Sequence, residues 1–221
     1  DENGSVQQQA TPFTDAQQSN KIIIGSVITS NSTIDFVRTF PVTAYSAVKQ
    51  IQEFTRIFGA LKKSGYKLTA NGANLKLDRA SGVSWAQGRN YGTDPNNPSV
   101  VSDAAKTESL IHRYYSDGST GHTKDSNAGA GYATIDPTKY DDGSGTLANV
   151  SSGHFTVQRL YYFPGFTNVI VAYYGKDHYS SREVAEKEYL LEEFIEADNT
   201  AEQAIYLGAI IVRGNATTLN N

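Results

Sequence analysis

The chain has no cysteine and no methionine, and it has only six prolines and one tryptophan among its 221 residues. Without cysteine there can be no disulfide, no thiolate metal site and no cysteine nucleophile. Because translation starts with methionine, its absence leads us to expect a fragment of a longer polypeptide or a processed product.

Long apolar runs and basic clusters are also missing. The longest apolar runs, residues 22–24 and 204–212, are far shorter than the ~20 residues of a membrane-spanning helix. The formal net charge is -4 and no basic cluster is longer than Lys62-Lys63, whereas a nucleic-acid binder needs a basic face that neutralises phosphates. We therefore expect no membrane insertion and no nucleic-acid partner.

Composition separates an N-terminal arm from a globular part. Residues 1–20 contain five glutamines, few apolar side chains and no periodicity, which is typical of a linker or an extended arm. The remaining sequence is rich in tyrosine, phenylalanine and glycine, as β-rich proteins often are. It predicts a single globular module over residues 21–221, with a long glycine-rich loop at residues 116–153.

Hydrophobic patterns in the globular part predict mostly strands. An apolar strand at residues 22–28 is followed by the turn at residues 30–32 and by an alternating strand at residues 34–40. Asn71-Gly72 predicts a hairpin with a type I′ turn, and residues 154–175 predict a second hairpin with aromatic residues on both faces. Three further strands are predicted at residues 83–90, 108–115 and 204–212, the last of them apolar enough for the centre of a sheet.

Two segments have helical spacing instead. Over residues 44–63 apolar residues recur at intervals of three and four, and Lys62-Lys63 followed by Gly65 predicts the helix end. Ser180 and Glu183 form a capping-box pattern before a second helix, whose apolar side includes Leu191. The sequence therefore predicts an α+β fold, a β-rich antiparallel sheet or sandwich with two helices.

Sequence patterns for catalysis or metal binding are absent. The four histidines are far apart and none has a second ligand at metal-binding spacing. Residues 141–145 resemble a calcium-binding turn but lack its alternating oxygens and closing glutamate, which favours a plain Asp-Gly turn. The many carboxylates of residues 183–202 could supply a glycosidase pair, although their helical spacing favours a solvated face. There is no Gly-x-Ser-x-Gly elbow, so we expect no enzyme, no cofactor and no metal.

Four tyrosines are the candidate binding residues. Tyr114, Tyr115, Tyr132 and Tyr140 lie among Asn, Asp and Gly, and an aromatic face next to polar groups can hold a sugar ring. The alternative, which the sequence favours, is that these rings fill cross-strand pairs or a subunit interface.

Several short segments follow one another in a familiar order. They are ANGANLKLDR at residues 70–79, GRNY at 88–91, DPNNP at 94–98, IDPTKYDDGSGTL at 135–147, QRLYYFP at 158–164 and LGAIIV at 207–212. Together they resemble tail-fibre-type virion structural proteins of tailed bacteriophages, and the likeness covers most of residues 21–219.

This resemblance implies a structural module of a bacteriophage tail fibre or related virion appendage, acting in assembly and host attachment. It implies a homotrimer that contacts other virion tail or capsid proteins and is exposed to the extracellular medium on the virion. It provides no catalytic residues. The helix predicted over residues 44–63 is our candidate for packing between subunits, and the alternative function is a carbohydrate-binding module that recognises host surface glycans.

Overall fold

The structure is a computed structural model, and it describes residues 8–11, 14, 24–39, 47–166 and 168–219. The chain divides into two compact units, Asp1–Phe54 and Thr55–Asn221. This boundary falls inside the module that the sequence predicts over residues 21–221. Of the predicted arm at residues 1–20, the structure describes only residues 8–11 and 14.

The described residues form fifteen strands and three helices. The strands are β1 (Gly25–Ser30), β2 (Thr33–Thr39), β3 (Leu61–Gly65), β4 (Leu68–Ala70), β5 (Leu77–Arg79), β6 (Gly82–Trp85), β7 (Val100–Asp103), β8 (Leu110–Ser116), β9 (His122–Asp125), β10 (Lys139–Asp141), β11 (Leu147–Asn149), β12 (Phe155–Tyr162), β13 (Val169–Tyr173), β14 (His178–Tyr179) and β15 (Ile205–Arg213). The helices are α1 (Ala47–Phe58), α2 (Arg182–Glu188) and α3 (Asp198–Gln203). In the described part of the chain, no helix is long and apolar enough to cross a membrane.

The first unit contains the hairpin of β1 and β2, as the sequence predicts. Asn31 and Ser32 form its turn and both have positive φ angles, of 48° and 64°. A type I′ turn requires that conformation at both central positions. The Oγ1 of Thr33 donates to the carbonyl of Ser30 at 2.6 Å and closes the turn.

Helix α1 is shorter than the predicted helix over residues 44–63. It ends at Phe58 because Gly59 adopts a φ of +64°, and a Cβ at Gly59 would lie 2.3 Å from the carbonyl oxygen of Ala201. Lys62 and Lys63 therefore do not close the helix, and that prediction was wrong. They belong to β3, which pairs with β6. The predicted helix start at residue 44 lies outside the described residues.

The second unit is organised around a six-stranded sheet. Five of its strands lie side by side in the order β15, β12, β13, β8 and β9. The sixth strand, β14, pairs with the first residues of β12, on the same side as β13, which pairs with the last residues of β12. All its pairings are antiparallel except that of β8 with β13, which is parallel. A smaller, three-stranded sheet contains β3, β6 and β7. Two further sheets have two strands each: β4 pairs with β5, and β10 pairs with β11. The predicted β-rich α+β class is confirmed, with three short helices in the described residues instead of two.

Both faces of strand β12 are buried by the chain itself. Leu160 packs on one face with Ile170 and Ala172, and Tyr161 packs on the other with Val171. The hairpin predicted over residues 154–175 is confirmed. Residues of other elements cover both of its faces.

Strand β15 is an edge strand within the described part of the chain. It pairs with β12 alone, whose opposite side is taken by β13 and β14. The expectation of a central position was therefore wrong. Its apolar composition reflects partial burial of both faces, which does not require a strand neighbour on each side.

Three other local predictions need correction. The loop predicted over residues 116–153 contains β9, β10 and β11, which are short and polar and so lack a clear hydrophobic alternation. The hairpin at Asn71-Gly72 is present, but six residues separate β4 from β5, so its turn is not a two-residue type I′ turn. Helix α2 is capped by Ser181, whose Oγ accepts from the N–H of Val184, and not by Ser180.

Candidate functional site

The second unit contains a half-open cleft of about 410 Å³. Its walls are the β8–β9 hairpin on one side and the segment that leads into α3 on the other. The lining residues are Tyr114, Thr120, Gly121, His122, Lys124, Ile195, Glu196, Ala197, Asp198 and Asn199. The volume lies within the ~300–1,000 Å³ range typical of small-molecule sites.

The β8–β9 hairpin is held in shape by a carboxylate at its tip. The Oδ1 of Asp117 accepts from the backbone N–H groups of Ser119 and Gly121 at 2.8 and 3.2 Å. A Cβ at Gly121 would lie 2.3 Å from Oδ2 of Asp117, so a side chain at that position would displace this carboxylate. The turn fixes the wall that carries Thr120 and Gly121.

The opposite wall is anchored to the central sheet by a buried ion pair. The Nη1 of Arg159 on β12 lies 2.6 Å from Oε2 of Glu192, and its Nη2 donates to the carbonyl of Tyr189 at 2.7 Å. The hydroxyl of Tyr179 donates to the other carboxylate oxygen of Glu192 at 2.6 Å. The Arg159 guanidinium also lies 4.4 Å from the ring centre of Phe194. These contacts fix residues 189–194, which directly precede the cleft wall.

Direct hydrogen bonds connect the two walls. The Nε2–H of His122 donates to the carbonyl of Ile195 at 3.0 Å, and the amide of Asn199 donates to the hydroxyl of Tyr114 at 3.0 Å. Below them, the hydroxyl of Tyr173 accepts from the N–H of Ala197 at 3.1 Å. These bonds fix the two walls of the cleft relative to each other.

Glu196 and Lys124 are oppositely charged groups that line the cleft, and among the described residues neither belongs to an ion pair. Among the described residues, neither the Glu196 carboxylate nor the Lys124 ammonium has an opposite charge within 4.0 Å. Burial raises the pKa of Glu196 above its ordinary value of 4.5, although hydrogen bonds with Tyr161 and Thr200 act in the opposite direction. A partly desolvated carboxylate and an amine are thus available to the same ligand.

Only one of the four predicted tyrosines lines this cleft. Tyr114 contributes its hydroxyl, since its ring is only 4% exposed and packs against Tyr173 with 5.1 Å between ring centres. Tyr115 follows it on β8 and therefore lies on the opposite face of the sheet, with its ring 6.4 Å from that of Tyr174. Neither ring offers a broad open face.

Tyr132 and Tyr140 lie elsewhere in the second unit. The hydroxyl of Tyr132 donates to Asp125 at 2.7 Å, and the Arg113 guanidinium lies 3.7 Å from the ring centre. Tyr140 packs against His178 at 4.8 Å between ring centres. The structure does not gather the four tyrosines into one stacking platform.

Metal ligands do not converge in the residues that the structure describes, where no group of three or more His, Asp or Glu could hold an ion. His154 and His178, distant in sequence, are neighbours with 5.1 Å between ring centres. The Asp141 carboxylate in the calcium-like segment accepts instead from the N–H of Ser116 at 2.8 Å and from Lys176 Nζ at 2.9 Å. A lysine ammonium thus supplies the positive charge next to this carboxylate.

The sequence reasoning missed most of the cleft. His122, Lys124, Glu196 and Asn199 belong to segments that are far apart in the chain, and no local motif connects them. The acidic stretch was assigned to a solvated face, which is wrong for Glu192 because its side chain is 4% exposed.

The chain was also compared with known proteins. No family model, curated protein or solved structure matches it. Its function must therefore be argued from its own residues and from the resemblance in its sequence segments.

Proposed function

We propose that this chain is a structural module of a bacteriophage tail fibre or related virion appendage, and not an enzyme. In this proposal it acts in assembly and host attachment as a homotrimer, next to other virion tail or capsid proteins. The ordered sequence segments support the family, and the surface of the first unit supports the assembly.

The observation that carries the proposal is the hairpin of β1 and β2. Val27 pairs with Val37 on one face, and Ile28 pairs with Phe36 on the other. All four side chains are 53–58% exposed in the single chain. An isolated two-stranded hairpin is marginally stable in water, and it needs a further strand or helix on its apolar surface. Copies of the same hairpin around a threefold axis would provide that cover.

Helix α1, the predicted subunit contact, also exposes apolar side chains. Ile51 and Ile57 are 57% and 78% exposed. Apolar residues on an amphipathic helix normally face a core, and their exposure here favours burial between subunits. The helix and the hairpin thus independently support an oligomer.

The molar mass in solution tests this proposal. Three copies of the 24.0 kDa chain have a mass of about 72 kDa, which light scattering behind a sizing column distinguishes from a monomer. Replacing Ile28 and Phe36 together by threonine keeps the β-propensity and removes apolar area, so we expect the trimer to dissociate. Tyr91→Thr removes a 67% exposed aromatic side chain outside the hairpin, and we expect this control to remain trimeric.

A monomeric unmodified protein would contradict the proposed assembly. A trimer that persists in the Ile28→Thr, Phe36→Thr protein would show that the hairpin is not the assembly surface. The two results separate the oligomeric state from the location of the contact.

A second function, glycan recognition during host attachment, is favoured by the cleft in the second unit. It offers hydroxyl, amide, amine and carboxylate groups on walls that are held in place. A glycan array probed with the assembled protein tests it, and binding to no glycan at high protein concentration would contradict it.

A further inference from the structure

We propose that the cleft between the β8–β9 hairpin and residues 195–199 binds a neutral saccharide of one or two pyranose units, with Glu196 and Lys124 contacting its hydroxyl groups. This inference rests on the glycan-recognition function proposed above and specifies the site and the chemical class of the ligand. It replaces ring stacking on the four predicted tyrosines by recognition through polar groups.

The hydrogen-bonding groups of the cleft suit a ligand with several hydroxyl groups. An ionised carboxylate such as that of Glu196 only accepts hydrogen bonds, and an ammonium such as that of Lys124 only donates them. A ligand hydroxyl both donates and accepts, so a polyhydroxylated ring satisfies both groups. The hydroxyl of Tyr114 accepts from Asn199 and retains its own hydrogen for a ligand oxygen. The cleft therefore matches several adjacent hydroxyls better than a single charged group.

The charged groups of the cleft favour a neutral ligand over an anionic one. Lys124 contributes one positive charge, and Glu196 and Asp198 contribute one negative charge each when ionised. The net charge of the lining is therefore negative, so an anionic sugar meets net repulsion. Like charges at close range are unfavourable. A neutral saccharide avoids this repulsion.

Part of the cleft wall is apolar. Ile195 lines the cleft with its side chain 56% exposed, next to Ala197. A pyranose has an apolar C–H surface besides its hydroxyl edge, and burying that surface is favourable. The combination of an aliphatic wall and hydrogen-bonding groups is typical of small-molecule sites.

The walls of the cleft are preorganised. The bonds from His122 to Ile195 and from Asn199 to Tyr114 connect one wall to the other. Ordering of loops on binding costs affinity, and this cost is smaller where the two walls are already connected. Glu196 lies on the cleft surface.

Saturation-transfer NMR on the assembled protein tests the inference. The probes are glucose, galactose and N-acetylglucosamine with their disaccharides, compared with glucuronic and N-acetylneuraminic acid. We expect binding of at least one neutral probe and weaker binding of both acids. Glu196→Gln and Lys124→Gln should each weaken binding by about tenfold or more, since hydrogen bonds to charged groups are the stronger ones.

The matched control is Glu193→Gln, which changes an exposed carboxylate three residues away that does not line the cleft. It should bind like the unmodified protein. Thermal unfolding of each variant checks that the fold is intact. Because Lys124 is exposed, Lys124→Gln should test binding without damage to the fold.

The outcomes separate this inference from the proposed functions. Glycan binding that neither Glu196→Gln nor Lys124→Gln weakens would overturn the inference and leave glycan recognition in place. Stronger binding of the acidic sugars would overturn the neutral class. If no glycan binds on the array or by NMR, the site and glycan recognition both fail, whereas a mass of about 72 kDa would still support the fibre module.

Discussion

The buried pair of Arg159 and Glu192 provides the sharpest test of how the cleft wall is held. Their side chains are 9% and 4% exposed, and Glu192 accepts from both Arg159 and Tyr179. Glu192→Ala would leave the Arg159 guanidinium buried without its counter-charge. Removing one partner of such a pair costs about 3–5 kcal/mol of unfolding free energy.

That cost corresponds to a large fall in melting temperature. For a chain of this size, 1 kcal/mol shifts Tm by roughly 2–4 °C, so we expect a decrease of about 6–20 °C in calorimetry. Glu193→Ala removes an exposed neighbouring carboxylate and should change Tm little. The double variant Arg159→Met, Glu192→Leu should recover most of the loss, because apolar residues of similar size often replace a buried pair at no cost.

Two outcomes would refute this reasoning. If Glu192→Ala lowers Tm no more than Glu193→Ala does, the ion pair does not hold the segment. If the double variant is as unstable as Glu192→Ala, the loss comes from packing and not from an uncompensated charge. The measurement therefore distinguishes electrostatic anchoring from simple volume loss.

Two further predictions concern the helix cap and the cleft carboxylate. Ser181→Ala should lower the unfolding free energy by about 1 kcal/mol because it removes the cap of α2, whereas Ser180→Ala should have little effect. Chemical denaturation measures the unfolding free energy of both variants. Equal losses would contradict the assignment of Ser181 as the cap. Because burial raises the pKa of Glu196, its ionisation opposes folding and stability falls as the pH rises through that pKa. Glu196→Gln should therefore stabilise the protein at pH 7 relative to the unmodified chain, and this gain in unfolding free energy should disappear below about pH 4.5. A gain that is the same at pH 4 and pH 7 would contradict a raised pKa of Glu196.

Predictions from local patterns succeeded where one segment contains the whole signal. The turn at Asn31 and Ser32 and the apolar alternation around it predict the β1–β2 hairpin without reference to the rest of the chain. The tyrosine-rich hairpin of β12 and β13 is a second example. In both cases the hydrophobic period of two and a turn between the strands are sufficient.

Predictions of boundaries failed where a distant contact selects between two local possibilities. Periodicity alone predicts that the helix continues to residue 63. It ends earlier because Gly59 lies against the backbone of Ala201 and the residues of β3 pair with β6. Ser180 and Ser181 are both plausible caps, but the helix begins at Arg182, so Ser181 takes the cap position and its Oγ accepts from the N–H of Val184. Neither choice can be made from neighbouring residues.

Composition and local patterns were sufficient to predict the β-rich α+β class and the β1–β2 and β12–β13 hairpins, and the lack of cysteine excludes disulfide and thiolate chemistry. Which charges are buried and which residues form the cleft depends instead on tertiary contacts. Glu192 meets a partner 33 positions away, and Asn199 meets Tyr114 across 85 positions. Turns and hydrophobic periods are local properties of the chain, whereas desolvation of a charge and convergence of polar groups depend on which segments pack together.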